Sequence, residues 1–458
     1  MQPPTPLPHL ADVATLERQY GARNYAPLPV VLTRGEGVYV WDDRGRKYLD
    51  MMSAYSAVSH GHSHPRLLNA LIEQAQRLAV VSRAFHTECL GSFLKRACEL
   101  TGMNIALPMN TGAEAVETAL KAARKWGYTV KGIAAEHCEI IACEGNFHGR
   151  TMGAVSLSTE AQYRHGFGPF VPGIRTVPFG DAAALEKAIN GNTAAFIVEP
   201  MQGEAGIRIP PVGYLARCAQ ICRANRVLLI ADEVQTGLGR TGKLLACQHE
   251  NVVPDGLILG KALGGGLLPV SLFLARREVM NVFSPGDHGS TFGGNPLAAS
   301  VGLAALDTLL DENLIERSAE LGEYLLQELR NIDSPLIREV RGKGLWCGVD
   351  FDSTRVRARE IALALLSAGI LTKETHETVI RFAPPLIVSR EQIDWAVATF
   401  REVLTSAEAI WRINEQPAVA HRNASAAGKA GTSPAGPGFS ATSYASSAMD
   451  DLPDEATP

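Results

Sequence analysis

The stretch "LILGKALGGG", residues 257–266, decides how this chain is read. A short apolar run ends at a glycine and one lysine, Lys261, and three glycines follow within five residues. At the end of a buried strand a lysine amine loses hydration. Its pKa falls and it becomes a competent nucleophile for Schiff-base chemistry. A surface lysine that opens a loop would show the same letters, so the neighbouring segments must decide.

One apolar run earlier, "VLLIADEVQTG" places Asp232 at its carboxyl end. A carboxylate there can pair with a cationic pyridinium nitrogen, the partner that keeps pyridoxal phosphate an electron sink. It can also simply cap a strand. Earlier still, "PMNTGAEAVETALKAARKW" passes from strand to helix, with Thr111 and Glu114 in capping-box spacing. Gly112 allows close backbone approach there, so the helix start offers free amides and a positive dipole end to a phosphate. Downstream, "GDHGSTFGGNP" supplies the hydroxyls of Ser290 and Thr291. Each feature alone has an ordinary explanation. Together, and in this order, they describe a phosphate cradle, a pyridinium partner and a Schiff-base lysine.

The surroundings fit one sheet. "IALPM", "EIIACE", "AAFIVEP", "VLLIADEV" and "LILGKAL" are near-continuous apolar runs separated by helical patterns. This predicts a mostly parallel sheet flanked by helices, with chemistry at the carboxyl ends of its strands. Before it, residues 37–58 read as a hairpin turning at "DDRG". After it, residues 312–412 form a smaller α+β region whose last helix starts at a capping box, Ser389 to Gln392. The expected division is 1–57, 58–311 and 312–412, followed by an Ala/Ser/Gly/Pro-rich tail, 413–458, read as disordered.

Composition narrows the function. The chain has 458 residues, 46% hydrophobic, with a formal net charge of -5, which gives no reason to expect nucleic acid or an anionic membrane as partner. No apolar stretch is long enough to span a bilayer, and the first twenty residues lack the apolar core of a secretory leader. Eight cysteines without a CxxC pair suggest a reducing, cytoplasmic setting.

Two motifs compete with this reading. "GLGRTGKL", residues 237–244, matches phosphate-loop patterns by letter, but Leu244 stands where a Walker loop needs Ser or Thr, and the segment follows a strand of the "LLIADE" type. "HGHSHP", residues 60–65, spaces three histidines as a metal site might, without an acidic or cysteine cluster nearby in sequence; it reads as a polar turn and no metal is expected.

The segments "NTGAEAVETALKAARKW", "GNFHGRT", "EPMQGEAG", "ADEVQTGLGRTGK", "LGKALGGG", "HGSTFGGNP" and "IRFAPPL" resemble the class III pyridoxal-phosphate aminotransferases over residues 20–410. "NYAPLPVVLTRGEGVYVWDDRGRKYLD", "SAYSAVSHGH", "SRAF" and "LPMNTG" are similar to the branch of that family that acts on ornithine. The resemblance implies fold type I, the aspartate-aminotransferase-like fold, and a homodimer or larger assembly. It implies that Lys261 carries the cofactor and moves the proton, that Asp232 meets the pyridine nitrogen, and that Gln235 meets the ring hydroxyl. Phe147 would stack on the ring, and Gly112 and Ala113 would hold the phosphate, with Ser290 and Thr291 reaching it from the partner subunit.

For the substrate, the resemblance implies Tyr25 at the α-amino group, Arg150 at the α-carboxylate and Tyr55 in the pocket. Arg381 would bind the α-carboxylate of 2-oxoglutarate, and Glu204 would mask it while ornithine reacts. The implied reaction moves the δ-amino group of L-ornithine to 2-oxoglutarate. His148 and Gly239 depart from some ornithine-type members. Action on N-acetylornithine or 4-aminobutyrate is the neighbouring alternative, which Tyr25 opposes. A nucleotide-binding ATPase is the alternative from another class.

Overall fold

The computed structural model describes residues 10–415, with side-chain surroundings from 13 to 413. The expected tail lies outside the described residues from 416 on; before that, the last helix, Arg390–Glu415, runs three residues past the boundary read from composition. The helix begins at the predicted box, with Gln392 N donating to Ser389 Oγ and Ser389 N to Gln392 Oε1. Among the described residues no helix is long and apolar enough to cross a membrane.

The first strands are β1 (Leu32–Glu36), β2 (Tyr39–Asp42) and β3 (Lys47–Asp50), an antiparallel meander. Next come β4 (Ile105–Met109), β5 (Glu139–Cys143), β6 (Ile174–Val177), β7 (Thr193–Val198), β8 (Leu228–Asp232), β9 (Gly256–Leu259) and β10 (Ser271–Ala275). These seven form one sheet in the order β4-β10-β9-β8-β7-β5-β6. The last group is β11 (Ile337–Gly342), β12 (Cys347–Phe351), β13 (Ile370–Leu371), β14 (Glu374–Thr375) and β15 (Val379–Phe382). Four of these make a sheet in the order β11-β12-β15-β14, while β13 crosses over to pair with β3.

The seven-stranded sheet is mostly parallel, as the apolar runs predict. Its strands are buried on both faces because alternate residues feed two cores. Phe196, Val198, Leu229, Ala231, Leu257 and Leu259 enter one hydrophobic cluster. Ala195, Ile197, Leu228, Ile230 and Ile258 enter the other, against the helix Gly112–Trp126. The exception is β10, which runs antiparallel to both β4 and β9 and was not anticipated. Only residues 260–270 join it to β9, too short a connection for a helical crossover, so the chain doubles back. Two antiparallel steps restore direction, so β4 still ends on the same edge as β8 and β9.

Candidate active site

Five segments meet at that carboxyl edge. Lys261 leaves β9 with φ +46, a left-handed conformation that turns the chain sharply into its glycines. It lines a cavity of about 200 Å³ together with Gly112, Ala113, Phe147, Asp232 and Gln235. Burial lowers the pKa of its amine, opposed in part by the carboxylates of Glu204 and Asp232. A larger, more open groove of about 750 Å³ lies between residues 205–211 and the sheet of β11 and β12, but none of these groups lines it.

At one end of the cavity the helix Gly112–Trp126 begins. Thr111 Oγ1 accepts from Glu114 N at 3.2 Å, and Glu114 Oε2 accepts from Thr111 N at 2.7 Å. The box closes over the cap and leaves the amides of Gly112 and Ala113, the first two of the helix, without a carbonyl one turn back. A Cβ on Gly112 would stand 2.9 Å from Val234 Cγ1, so any larger residue would have to displace Val234. At the other end, Asp232 Oδ2 accepts from His148 Nδ1 at 2.7 Å and Oδ1 accepts from Val234 N at 3.1 Å. Free helix-start amides, a buried carboxylate and an amine whose proton affinity burial lowers thus face one cavity. That donor set fits a phosphorylated pyridine aldehyde.

Two residues of this floor were given no role from the sequence. His148 is fully buried and its Nε2 has no hydrogen-bond partner among the described residues. Burial disfavours its charged form, but Asp232 outweighs this and its pKa rises. Glu199, at the end of β7, accepts from Phe147 N at 2.9 Å and Gly203 N at 3.2 Å. Burial pushes its carboxyl up to about 7, against the pull of His148. Both lie inside quoted motifs, yet nothing in their spacing reveals that they line one cavity with Asp232.

Beyond the cavity, Arg381 Nη1 donates to Glu204 Oε1 at 3.0 Å, and Nη2 lies 2.9 Å from Oε2. Arg381 Nε donates to Thr375 Oγ1, and Gln235 Nε2 donates to Glu204 Oε1 at 3.3 Å. Burial alone would raise the Glu204 carboxyl, but Arg381, and then Lys261, pull it down to about 2. The Arg381 guanidinium lies 5.3 Å from the centre of the Tyr55 ring. Arg150 is exposed at the open edge, stacked 3.7 Å over Tyr163, with no carboxylate paired to it among the described residues. Tyr25 is 77% exposed, within electrostatic reach of the Tyr55 phenol. Ser290 and Thr291 are not among the residues that line the cavity. Ser290 Oγ accepts from Asn110 Nδ2 at 2.9 Å, and Thr291 is exposed.

The competing motifs resolve into structure. Arg240 of "GLGRTGKL" is wholly buried; its Nη1 donates to Leu345 O and Pro384 O, and its Nη2 to Ser53 Oγ and Ser59 Oγ. It braces the turn that carries Tyr55, where residues 53–56 all have φ between +44 and +74. Glu233, beside Asp232, accepts from Ala246 N and Cys247 N and from Thr236 Oγ1, so it ties down the loop after β8. The three histidines diverge: His60 meets Ala305 O, His62 meets Asp50 and His64 meets Glu312. Among the described residues no cluster of His, Cys, Asp and Glu is placed to hold a metal ion.

A family model described as "Aminotransferase class-III" matches residues 20–404. The chain is 57% identical over 392 residues to an ornithine aminotransferase of Geobacillus sp. (strain WCH70), covering 86% of this chain and 98% of that protein. It superposes on the crystal structure of the ornithine aminotransferase from Toxoplasma gondii ME49 with a TM-score of 0.87 at 44% identity, covering 88% of this chain and 96% of that one. It also superposes on an acetylornithine aminotransferase from Elizabethkingia anophelis with a TM-score of 0.79 at 47% identity, covering 87% and 100%.

Proposed function

The chain belongs to the class III aminotransferases, and from that membership we propose that it transfers the δ-amino group of L-ornithine to 2-oxoglutarate, giving glutamate-5-semialdehyde and glutamate. Its fold is the fold type I, aspartate-aminotransferase-like one. Lys261, Asp232 and the amides of Gly112 and Ala113 would hold pyridoxal phosphate, which would supply the electron sink for removal of a proton next to nitrogen. Lys261 Nζ, whose hold on a proton burial weakens, takes the proton from ornithine Cδ and later returns one. Asp232 would keep the ring nitrogen protonated, with His148 bonded to it from behind. Phe147 would cover the ring face and Gln235 would meet the ring hydroxyl.

The observation that carries the substrate assignment is the two-point pair of Glu204 on Arg381, taken with an Arg150 that has no carboxylate paired to it among the described residues. Ornithine has one carboxylate and two amines. With Arg381 masked, its carboxylate goes to Arg150, its α-amine to Tyr25, its chain past Tyr55, and only the δ-amine reaches Lys261. 2-Oxoglutarate has two carboxylates. One displaces Glu204 from Arg381 and the other takes Arg150, so the keto carbon reaches the same point. A masked charge admits one substrate end and rejects the other, which is how one pocket serves two different shapes. Ser290 and Thr291 complete the phosphate site from the partner subunit of a homodimer. Eight free thiols, six of them buried, support a cytoplasmic setting.

Visible absorbance of the purified protein tests the reading. A yellow band that bleaches with L-ornithine and returns with 2-oxoglutarate is the expected result. A band that ignores ornithine but bleaches with N-acetylornithine transfers the assignment to the neighbouring activity. A protein colourless even with added pyridoxal phosphate overturns the site.

A further inference from the structure

The loop that carries Glu204 is held by a second arginine. Arg341 on β11 pairs with Gly348 on β12, and Gly348 pairs with Arg381 on β15. Residues directly opposite one another on neighbouring strands share a face. The two arginines therefore rise on either side of a glycine, and the loop lies on that glycine. A Cβ at Gly348 would stand 3.4 Å from Gly206 O and from Ile207 Cβ.

The two arginines hold the loop by different means. Arg381 grips the Glu204 carboxylate. Arg341 grips main chain: its Nε donates to Gly206 O at 2.9 Å and Ile207 O at 3.1 Å, and its Nη2 donates to Gly206 O at 2.7 Å. Its Nη1 donates to Glu339 Oε2 at 2.6 Å and Asp350 Oδ2 at 3.2 Å, so the guanidinium is fixed from behind. On the other side of Glu204, Gly203 N donates to Glu199, and Gln202 and Arg208 exchange backbone hydrogen bonds at 3.1 and 2.8 Å. Gly206 (φ +94) and Ile207 (φ +55) both have positive φ, and for the β-branched Ile207 this persists only where the surroundings enforce it.

We propose that Arg341 is the positioning residue of the Glu204 mask. It fixes the loop backbone so that Glu204 changes partner by turning its side chain and returns to Arg381 after each dicarboxylate leaves. This rests on the reading of Glu204 as the group that masks Arg381. A loop released from Arg341 drifts, Arg381 stays unmasked, and ornithine enters reversed with its carboxylate on Arg381. The amino group and hydrogen at ornithine C2 are then exchanged for the keto oxygen of 2-oxoglutarate, giving glutamate and 5-amino-2-oxopentanoate. That product closes to a ring with loss of water, its imine carbon bearing the carboxylate, and so differs from the ring formed by glutamate-5-semialdehyde.

The test is the ratio of the two cyclic imines formed from ornithine by the holoenzyme, with kcat and KM for ornithine and for glutamate. Arg341→Met is expected to raise the reversed product about tenfold or more relative to the normal one. Its kcat/KM should fall for ornithine and hold or rise for glutamate, a split that general loss of structure does not produce. Arg341→Lys, with a single ammonium in place of the fork, should fall between it and the wild type. The ratio is read within one sample and does not depend on how much protein folds; if Arg341→Met yields no folded enzyme, Arg341→Lys and Gly348→Ala carry the comparison. Glu204→Gln is the control. A shifted ratio in Glu204→Gln with wild-type ratios in the folded Arg341 and Gly348 variants overturns the role of Arg341 and keeps the mask. A wild-type ratio in Glu204→Gln removes the mask, and the proposal with it.

Discussion

Single residues decide which end of the substrate reacts. Tyr25 projects from the chain at the open edge and has one task in the proposed pocket, to meet the α-amino group. Tyr25→Phe should cost ornithine about ten- to a hundredfold in kcat/KM, the worth of one hydrogen bond to a charged group. Substrates without an α-amino group should lose little, and equal losses on 4-aminobutyrate and ornithine would count against the role. Glu199 gives a stability signature. Its folded pKa of about 7 lies above the ordinary carboxyl value, 4.5. Between those values the unfolded chain has lost this proton and the folded protein still holds it, so its contribution to stability is full below pH 4.5 and is lost as pH rises through 7. The melting-temperature advantage of cofactor-free wild type over Glu199→Gln should therefore shrink from pH 4.5 to 7 and then level off. A difference that grows over this window would show that the carboxyl is ionised in the folded state.

At the scale of elements, the turn at residues 53–56 stores strain beside the site. Four successive residues there, none of them glycine, have positive φ. Each costs about 1–2 kcal/mol in that region. The turn is held by Asp50 Oδ1, which accepts from Met52 N and Ser53 N, by Ser53 Oγ on Ala383 O, and by Arg240. Ala54 is exposed and has φ +46. Ala54→Gly relieves its Cβ clash at the smaller entropic cost of a glycine, so it should stabilise the protein by up to about 1 kcal/mol. Urea unfolding reads this as a raised midpoint with unchanged slope; a lowered midpoint would mean the turn carries no strain at Ala54.

At the scale of the whole molecule, Thr291 separates the one-chain and two-chain sites. It lies exposed, outside the cavity of its own chain. If it serves the partner's phosphate, two inactive chains can repair one another. Lys261→Ala lacks the amine, and Thr291→Asp sets a negative charge against the phosphate. In a mixed dimer one site has Lys261 from one chain and Thr291 from the other. Equal co-expression should restore about a quarter of wild-type activity, since half the dimers are mixed and each has one intact site of two. No gain over the separate variants would place Thr291 in the site of its own chain.

The sequence by itself determined the chemistry and its scaffold. Apolar runs too continuous for a half-exposed strand required a two-faced sheet, and a lysine, an aspartate and a capped helix at the run ends marked its reactive edge. These signals are local, because strand burial, helix capping and turn formation are written within a few residues. Only the tertiary structure decided what lies under and around that edge. His148 meets Asp232 and Glu199 lines the same cavity from another strand end, Arg240 reaches a turn nearly two hundred residues earlier, and Arg341 faces Arg381 across a glycine on the strand between. β10 reversed because its connection is short, although its own letters resemble those of its parallel neighbours. Such contacts join residues far apart in the chain, and spacing within one segment holds no record of which strands will lie side by side.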